Sequence, residues 1–346
     1  MLSMITVKRL STQTWDTLTP MFRDTSYRQF SSYAAIAARR IGAKSELNGL
    51  FEDQTLIGLA DVRVKTVPLT SLGIAYVSYA PVTMRDDSFS AEKFRRCLEA
   101  LRREYVEHRG LLLRVVPALS GGLFQELQVA GLKACAFRVC QQHKPRETFI
   151  LDLTQPLAAI RSRADQHWRR NLNKAEKADV KITRSVALED FDEFERIFLD
   201  LTKLKDFRTN QDVHFFKSVQ ADIPPNQKLV LHLAWHQNEL IAGHLGSFVG
   251  DTAVYLLGAA NSKGRDLRAS YLLHWAVIQC AQDAGNTYYD LGGVDQQQNP
   301  GVYRFKQGLN GRAVTDVGPY EHAPGHFRKG VLQFLEAARS AVLGRN

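Results

Sequence analysis

The chain has 346 residues, 45% of them hydrophobic and 23% charged, and a net charge of +9. That balance describes a soluble globular protein and excludes a disordered or collagen-like one. At roughly 100–200 residues per domain the length favours two domains. The positive charge suits polyanionic partners (nucleic acid, phosphorylated substrates, anionic headgroups) as readily as it suits plain solubility.

The N-terminal stretch MLSMITVKRL lacks the apolar run of a secretory signal, and no window approaches the ~20 apolar residues of a membrane span. Cys97, Cys135, Cys140 and Cys280 form no Cys-x-x-Cys pair. Neither a zinc knuckle nor a disulfide framework is therefore expected, and reduced cytosolic thiols are the simplest account.

In chain order, LNGLFEDQTLIGL at 47–59 reads as a β-hairpin, followed by a strand within GIAYVSYAPV at 73–82. An amphipathic helix over 90–110 places Phe94, Leu98, Leu101 and Tyr105 on one face and ends at Gly110, in the manner of a C-cap glycine. The strand LLLRVV follows. HKPRE at 143–147 marks a domain boundary, dividing the chain near residue 145. A strand over 148–153 and a helix from about 157 to 178 come next. The earlier order then returns: hairpin LHLAWHQNELIAG at 231–243, strand TAVYLLGAA at 252–260, helix over 268–285 ending at Gly285, strand TYYDLG. A mixed α/β unit, hairpin–strand–helix–strand, is thus present twice.

The least ordinary stretch is YYDLGGVDQQQNPGVYRFKQGLNG, residues 288–311. Asp290, Gly292 and Gly293 close a strand, where ligands dock in α/β units; equally, they describe a capped turn needing positive φ. Lys306 stands beside Phe305, which is expected to be buried. Read alone, Lys306 is a surface lysine on an edge strand.

The strand ending in DL, the basic WRRNLNKAEKADVKI, the late YYDLGG and the closing VYRFKQGLNG together resemble the Fem family, the non-ribosomal aminoacyl transferases that build peptidoglycan cross-bridges. The resemblance runs from TSYRQFSSYAAIAARR to RFKQGLNG. It implies an α/β fold of two tandem GNAT-like acyltransferase domains, 1–145 and 146–318, with residues 319–346 packing back on the first and no long coiled-coil arm. It implies an enzyme that moves an aminoacyl group from aminoacyl-tRNA to an amine of a UDP-linked or lipid-linked peptidoglycan precursor. The expected location is cytoplasmic, with peripheral contact at the inner face of the membrane, and no metal or organic cofactor is expected.

The resemblance also implies roles for residues. Lys306 becomes a cation that steadies the oxyanion of ester aminolysis, with Phe305 beside it. Asp86, in MRDD, falls where an acid or base would lie. Tyr255 and Tyr76 line the substrate cleft, each also readable as a half-buried core tyrosine. Arg208 grips precursor phosphate through a bidentate fork, His214 replaces a tyrosine near it, and Arg39 with Arg40 lies near a family lysine on phosphate. Asp290 is a further substrate contact.

The cationic face of helix 157–178, with Arg169, Arg170 and Lys174, is suited to a tRNA acceptor stem. Trp168 stacks on a base there or packs inward. A terminal stripe from Phe327 to Val342 suits a membrane surface or docking on the first domain.

Two rival readings stand beside this one. Transfer from acyl-coenzyme A needs a bare glycine turn around diphosphate, and in KGRDLRASYLL Arg268 occupies the first glycine position, with Arg265 before it. A non-catalytic RNA- or precursor-binding module would leave Lys306 without a role. His232 and His236, four apart on a strand with no nearby carboxylate pattern, do not suggest a metal.

Overall fold

A computed structural model describes residues 4–70, 72–141, 145–205, 212–325, 330 and 332, with the backbone alone for 202–205. Arg208 and the expected terminal stripe from Phe327 to Val342 lie outside the described residues. The chain divides into two compact units. One holds residues up to Leu119, Leu123–Pro145 and the chain from Val317; the other holds Ser120–Gly122 and Arg146–Asp316.

The first unit contains β1 (Ile5–Arg9), α1 (Thr12–Leu18), α2 (Ser31–Arg40), β2 (Lys44–Glu52), β3 (Thr55–Thr66), β4 (Gly73–Ser78), α3 (Ala91–Arg102), β5 (Leu112–Val116), α4 (Gln125–Ala134) and β6 (Arg138–Val139). The second contains β7 (Glu147–Asp152), α5 (Leu157–Arg163), α6 (Gln166–Glu176), β8 (Lys181–Ser185), α7 (Leu188–Lys205), α8 (Val213–Asp222), β9 (Val230–His236), β10 (Glu239–Ser247), β11 (Thr252–Ala260), α9 (Ser262–Asp266), α10 (Ala269–Asp283), β12 (Tyr288–Asp290), α11 (Pro300–Gln307) and β13 (Arg312–Thr315). A last strand, β14 (Tyr320–His322), belongs to the first unit.

Each unit is built on a seven-stranded mixed sheet. The orders are β1-β2-β3-β4-β5-β14-β6 and β13-β7-β12-β11-β10-β9-β8. The duplication read from the sequence is repeated down to the register. β2–β3 and β9–β10 are antiparallel hairpins with two-residue turns, Asp53-Gln54 and Gln237-Asn238. Asp53, Gln237 and Asn238 have positive φ, which tight hairpin turns require. Each hairpin then slips register by one residue at the same place, Ile57 in one copy and Ile241 in the other. A bulge of this kind bends the strand and increases its twist. Each copy continues into one parallel pair, β4–β5 and β11–β12, joined by a crossover helix.

The crossover helices form where apolar periodicity predicts them. In α3 the buried residues include Phe94, Leu98 and Leu101, and Tyr105 follows on the same face. Gly110 and Gly285 adopt φ of +68° and +79°, the left-handed geometry of a helix stop. The helix expected over 157–178 is two helices. Ala164 turns extended at ψ 146° and the Asp165 side chain accepts the Trp168 N–H, capping α6. A local aspartate cap offers the backbone an alternative to continuing the helix.

Candidate active site

The site lies within the second unit, at the end of β12. Asp290 is fully buried. Its carboxylate accepts hydrogen bonds from Arg146 Nη2 at 2.8 Å, Thr148 Oγ1 at 2.5 Å and the Gly292 N–H at 2.9 Å. Burial alone would raise its pKa. The Arg146 charge and the three hydrogen bonds outweigh that and hold it below the usual aspartate value. Gly292 then leaves the strand at φ +76°, a conformation that glycine adopts without strain.

This turn places the Gly292 and Gly293 carbonyls 3.3 and 3.0 Å from Lys306 Nζ. The paired glycines thus act through their backbone oxygens, as acceptors for the lysine. Lys306 arrives on a helix. The Asn299 side chain caps α11 by accepting the Val302 N–H, and Pro300 opens its first turn.

Two expectations are corrected here. Residues 305 and 306 are helical, not on an edge strand, because the Asn299 cap and Pro300 start a short helix. The burial of the pair is also reversed. Lys306 is 3% exposed, while Phe305 is half-buried on the wall of a cavity. The ammonium lies 4.5 Å from the centre of the Tyr255 ring, a cation–π contact. Burial pushes the Lys306 pKa down to about 8, with Asp290 pulling the other way. At neutral pH it therefore stays mostly protonated. An ammonium has three N–H donors, and two carbonyls engage it, so one remains for a ligand.

The cavity above it measures about 530 Å³ and is lined by Tyr255, Tyr271, His274, Phe305, Arg265 and Arg268 among others. Tyr255 and His274 stack at 5.4 Å, and Phe305 meets Tyr271 and His274 edge-on at 4.9 Å. Behind this wall lies a cluster the sequence reading missed. His232, His244 and His274 are buried, and Tyr289 Oη sits 3.0 Å from His244 Nε2 and 3.5 Å from His274 Nδ1. Burial lowers all three pKa values, that of His232 to about 4 and that of His274 to about 3, so the imidazoles are neutral. His232 and His244 face each other only because of the bulge at Ile241. Counting back from the turn without it pairs His232 with Gly243.

The remaining expected residues are dispersed. Tyr76, on β4 of the first unit, is half-buried. Burial raises its pKa against the charges of Arg63 and Arg28. Arg28 stacks on Tyr79 at 3.8 Å, and Arg63 lies 5.4 Å from Tyr33. Arg39 is exposed in the last turn of α2. Asp86 is fully exposed; hydrogen bonds from the Ser88 hydroxyl and N–H lower its pKa, the reverse of the shift that poises a general base near neutrality. His214 is exposed on α8, 2.7 Å from Glu195. Arg170 and Lys174 lie on the solvent side of α6, and half-buried Arg169 donates to the Ser162 carbonyl. Trp168 is buried at 1% exposure against Tyr271, which removes it as a stacking platform.

The profile of an acetyltransferase (GNAT) domain matches residues 162–307, the segment that carries the cavity and Lys306. A lipid II:glycine glycyltransferase from Staphylococcus saprophyticus is 21% identical over 344 aligned positions, which cover 78% of this chain and 82% of that protein. In sequence the chain is similar to such Fem-type acyltransferases. The fold agrees. A crystal structure of FemX superposes with a TM-score of 0.79 at 16% identity, covering 95% of this chain and 99% of that one. A conserved Bacteroides thetaiotaomicron protein superposes at 0.58 with 12% identity, covering 92% and 99%. Among the described residues no helix is long and apolar enough to cross a membrane.

Proposed function

We propose that this chain is a Fem-type transferase that moves an aminoacyl group from aminoacyl-tRNA to an amine of the stem peptide on a lipid-linked peptidoglycan precursor, extending an interpeptide bridge. The observation that carries this reading is the buried, protonated Lys306, held by two backbone carbonyls at the edge of an aromatic cavity. In ester aminolysis the amine nitrogen attacks the carbonyl carbon. A C–N bond forms and the carbonyl oxygen takes the negative charge. A fixed cation beside that oxygen lowers the barrier by a few kcal/mol, on the order of 10²–10³ in rate. Collapse breaks the C–O bond, and the departing ribose hydroxyl takes up the proton that the amine gives up.

In this reading Phe305 and Tyr255 shape the wall at the reacting carbonyl, and Asp290 orders the turn whose carbonyls seat Lys306. Acceptor phosphate falls to Arg208, His214 and Arg39; Tyr76, in its arginine-rich setting, meets the rest of the acceptor. Arg169, Arg170 and Lys174 carry the acceptor stem of the tRNA. Asp86 is not needed as a base if the amine arrives unprotonated. Work at a lipid-linked acceptor brings the protein to the inner face of the membrane.

The test is a donor assay with purified protein. Pooled radiolabelled aminoacyl-tRNA is offered with a lipid-linked or a UDP-linked muropeptide, and labelled acetyl-coenzyme A is offered in parallel. Label passing from tRNA to the lipid-linked acceptor is the expected result. Transfer from acetyl-coenzyme A alone would overturn it.

A further inference from the structure

The turn between β3 and β4 runs Val67-Pro68-Leu69-Thr70. It is held from inside. The Thr70 N–H and hydroxyl both donate to the Val67 carbonyl, at 3.2 and 2.9 Å, and the Leu72 N–H donates to Thr70 Oγ1 at 3.1 Å. Proline at the second position and positive φ at the third describe a type II turn, whose third position favours glycine or asparagine. Leucine stands there instead, at φ +61°. A bulky residue in this left-handed region is strained. Leu69 gains no packing in return, because it is fully exposed, as is Pro68 beside it. A strained leucine on an ordered turn, packed against nothing in its own fold, marks a contact made outside the chain.

The surroundings say what that contact is. The Lys65 ammonium donates to the Ile41 carbonyl, and Lys44 pairs with Val64 across β2–β3, so the end of α2 and the root of the hairpin are tied together. Ile41 is 39% exposed. Segments 39–44 and 65–73 contain Arg39, Arg40, Lys44 and Lys65 and no acid. Arg39, Arg40 and Lys44 are exposed. On the same edge β5 begins beside Ile74. The acids of the turn before it are held in ion pairs, Glu107 with Arg102 at 2.9 Å and Glu104 with Arg109 at 4.0 Å. This edge of the first sheet thus presents an apolar tip on a rim rich in cations.

We propose that the β3–β4 turn is a membrane-docking element. Pro68 and Leu69 enter the headgroup region of an anionic bilayer, and Arg40, Lys44 and Lys65 meet lipid phosphates around them. Charge complementarity selects this occupant: the tip alone would suit another protein, whereas an anionic bilayer suits tip and rim together. The inference rests on the proposed work at a lipid-linked acceptor and names the surface that brings the chain there. β3 and β4 also carry Arg63 and Tyr76, at facing positions. Tyr76 is three residues from Gly73 at the base of the turn, about 10 Å along the strand. Docking the tip therefore sets the acceptor-facing Tyr76 at a fixed short distance from the headgroups. Arg39, which meets acceptor phosphate in that reading, stands on the same rim, and a phosphate joining a sugar to a membrane lipid lies at headgroup level.

Binding is measured by co-sedimentation of the full chain and of Leu69→Gly, Leu69→Trp and Lys44→Gln. The vesicles are of phosphatidylglycerol with phosphatidylethanolamine and, in parallel, of phosphatidylcholine alone. The unaltered chain is expected to bind the anionic vesicles, less as salt rises, and the neutral ones about tenfold more weakly or less. Leu69→Gly should weaken binding about tenfold while keeping or raising the melting temperature, since glycine accepts the φ of the turn. Lys44→Gln should weaken it about fivefold. Leu69→Trp should still bind, and its emission should shift to the blue on adding anionic vesicles, beyond any shift of the parent. Equal binding by all four proteins, or none by the unaltered chain, would overturn the docking element whatever the donor assay shows. Leu69-dependent pairing of two copies without vesicle binding would overturn the bilayer as the occupant. Leu69-dependent vesicle binding together with transfer from acetyl-coenzyme A alone would keep the docking element and overturn the aminoacyl reading.

Discussion

Lys306 binds its proton less tightly in the folded chain than in the unfolded one, and the sign of the consequence follows. The folded pKa is about 8 against an ordinary 10.5, so between those values the unfolded chain holds more protons and stability rises with pH. At about 1.4 kcal/mol per unit the gain across the window is about 3 kcal/mol. Denaturant unfolding of the protein and of Lys306→Met should diverge by that amount from pH 8 to 10.5; parallel curves would mean the lysine is not buried. Transfer should fall over the same range as the charge is lost. The three neutral histidines act at the other end. Their pKa values are depressed, so the folded state resists protonation and stability falls as pH drops below 6.5. For His232 the fall ends near 4. His232→Leu should therefore lose about 3 kcal/mol less than the parent between pH 7 and 4, measured by acid titration of the unfolding free energy. The motif around Lys306 singles it out in the sequence. Its burial was not legible, because a lysine beside phenylalanine gives no sign that the backbone carbonyls of Gly292 and Gly293 will receive it.

The elements were legible where periodicity or a glycine stop was strong, as in α3 and α10, and less so where a single cap decides. Asp165 breaks one expected helix into two, and Asn299 starts one of eight residues in a stretch rich in turn formers. Both are one-residue signals inside ambiguous surroundings. Because α11 carries Phe305 and Lys306, its cap should matter to function beyond its stability. Asn299→Ala should cost about 1 kcal/mol and lower the transfer rate, read from unfolding and turnover together. Unchanged turnover would show that α11 holds its place without the cap. The hairpin bulges were invisible for a related reason. A one-residue register slip leaves no mark in a repeat of apolar residues, yet the slip at Ile241 is what brings His244 opposite His232.

For the whole molecule, duplication was the signal that carried the fold. Two copies of hairpin, strand, helix and strand gave two mixed sheets, each with its one parallel step. The return of β14 to the first sheet, between β5 and β6, follows no local pattern; it came from family resemblance alone. It is secured by Arg114 and Glu321, both buried and 3.1 Å apart across β5–β14. Glu321→Gln should destabilise the first unit by about 3–5 kcal/mol, since it leaves a buried guanidinium without the carboxylate facing it. Hydrogen exchange should show the loss in β5 and β14 and not in β11 or β12. In the proposed reaction Lys306 acts on the transition state of transfer and not on donor binding. The most direct measurement compares the parent with Lys306→Met, in donor affinity for aminoacyl-tRNA and in single-turnover transfer to a lipid-linked acceptor. The prediction is affinity within about threefold and a rate lower by on the order of 10²–10³. An equal fall in affinity with an unchanged rate would contradict it and make Lys306 a binding residue.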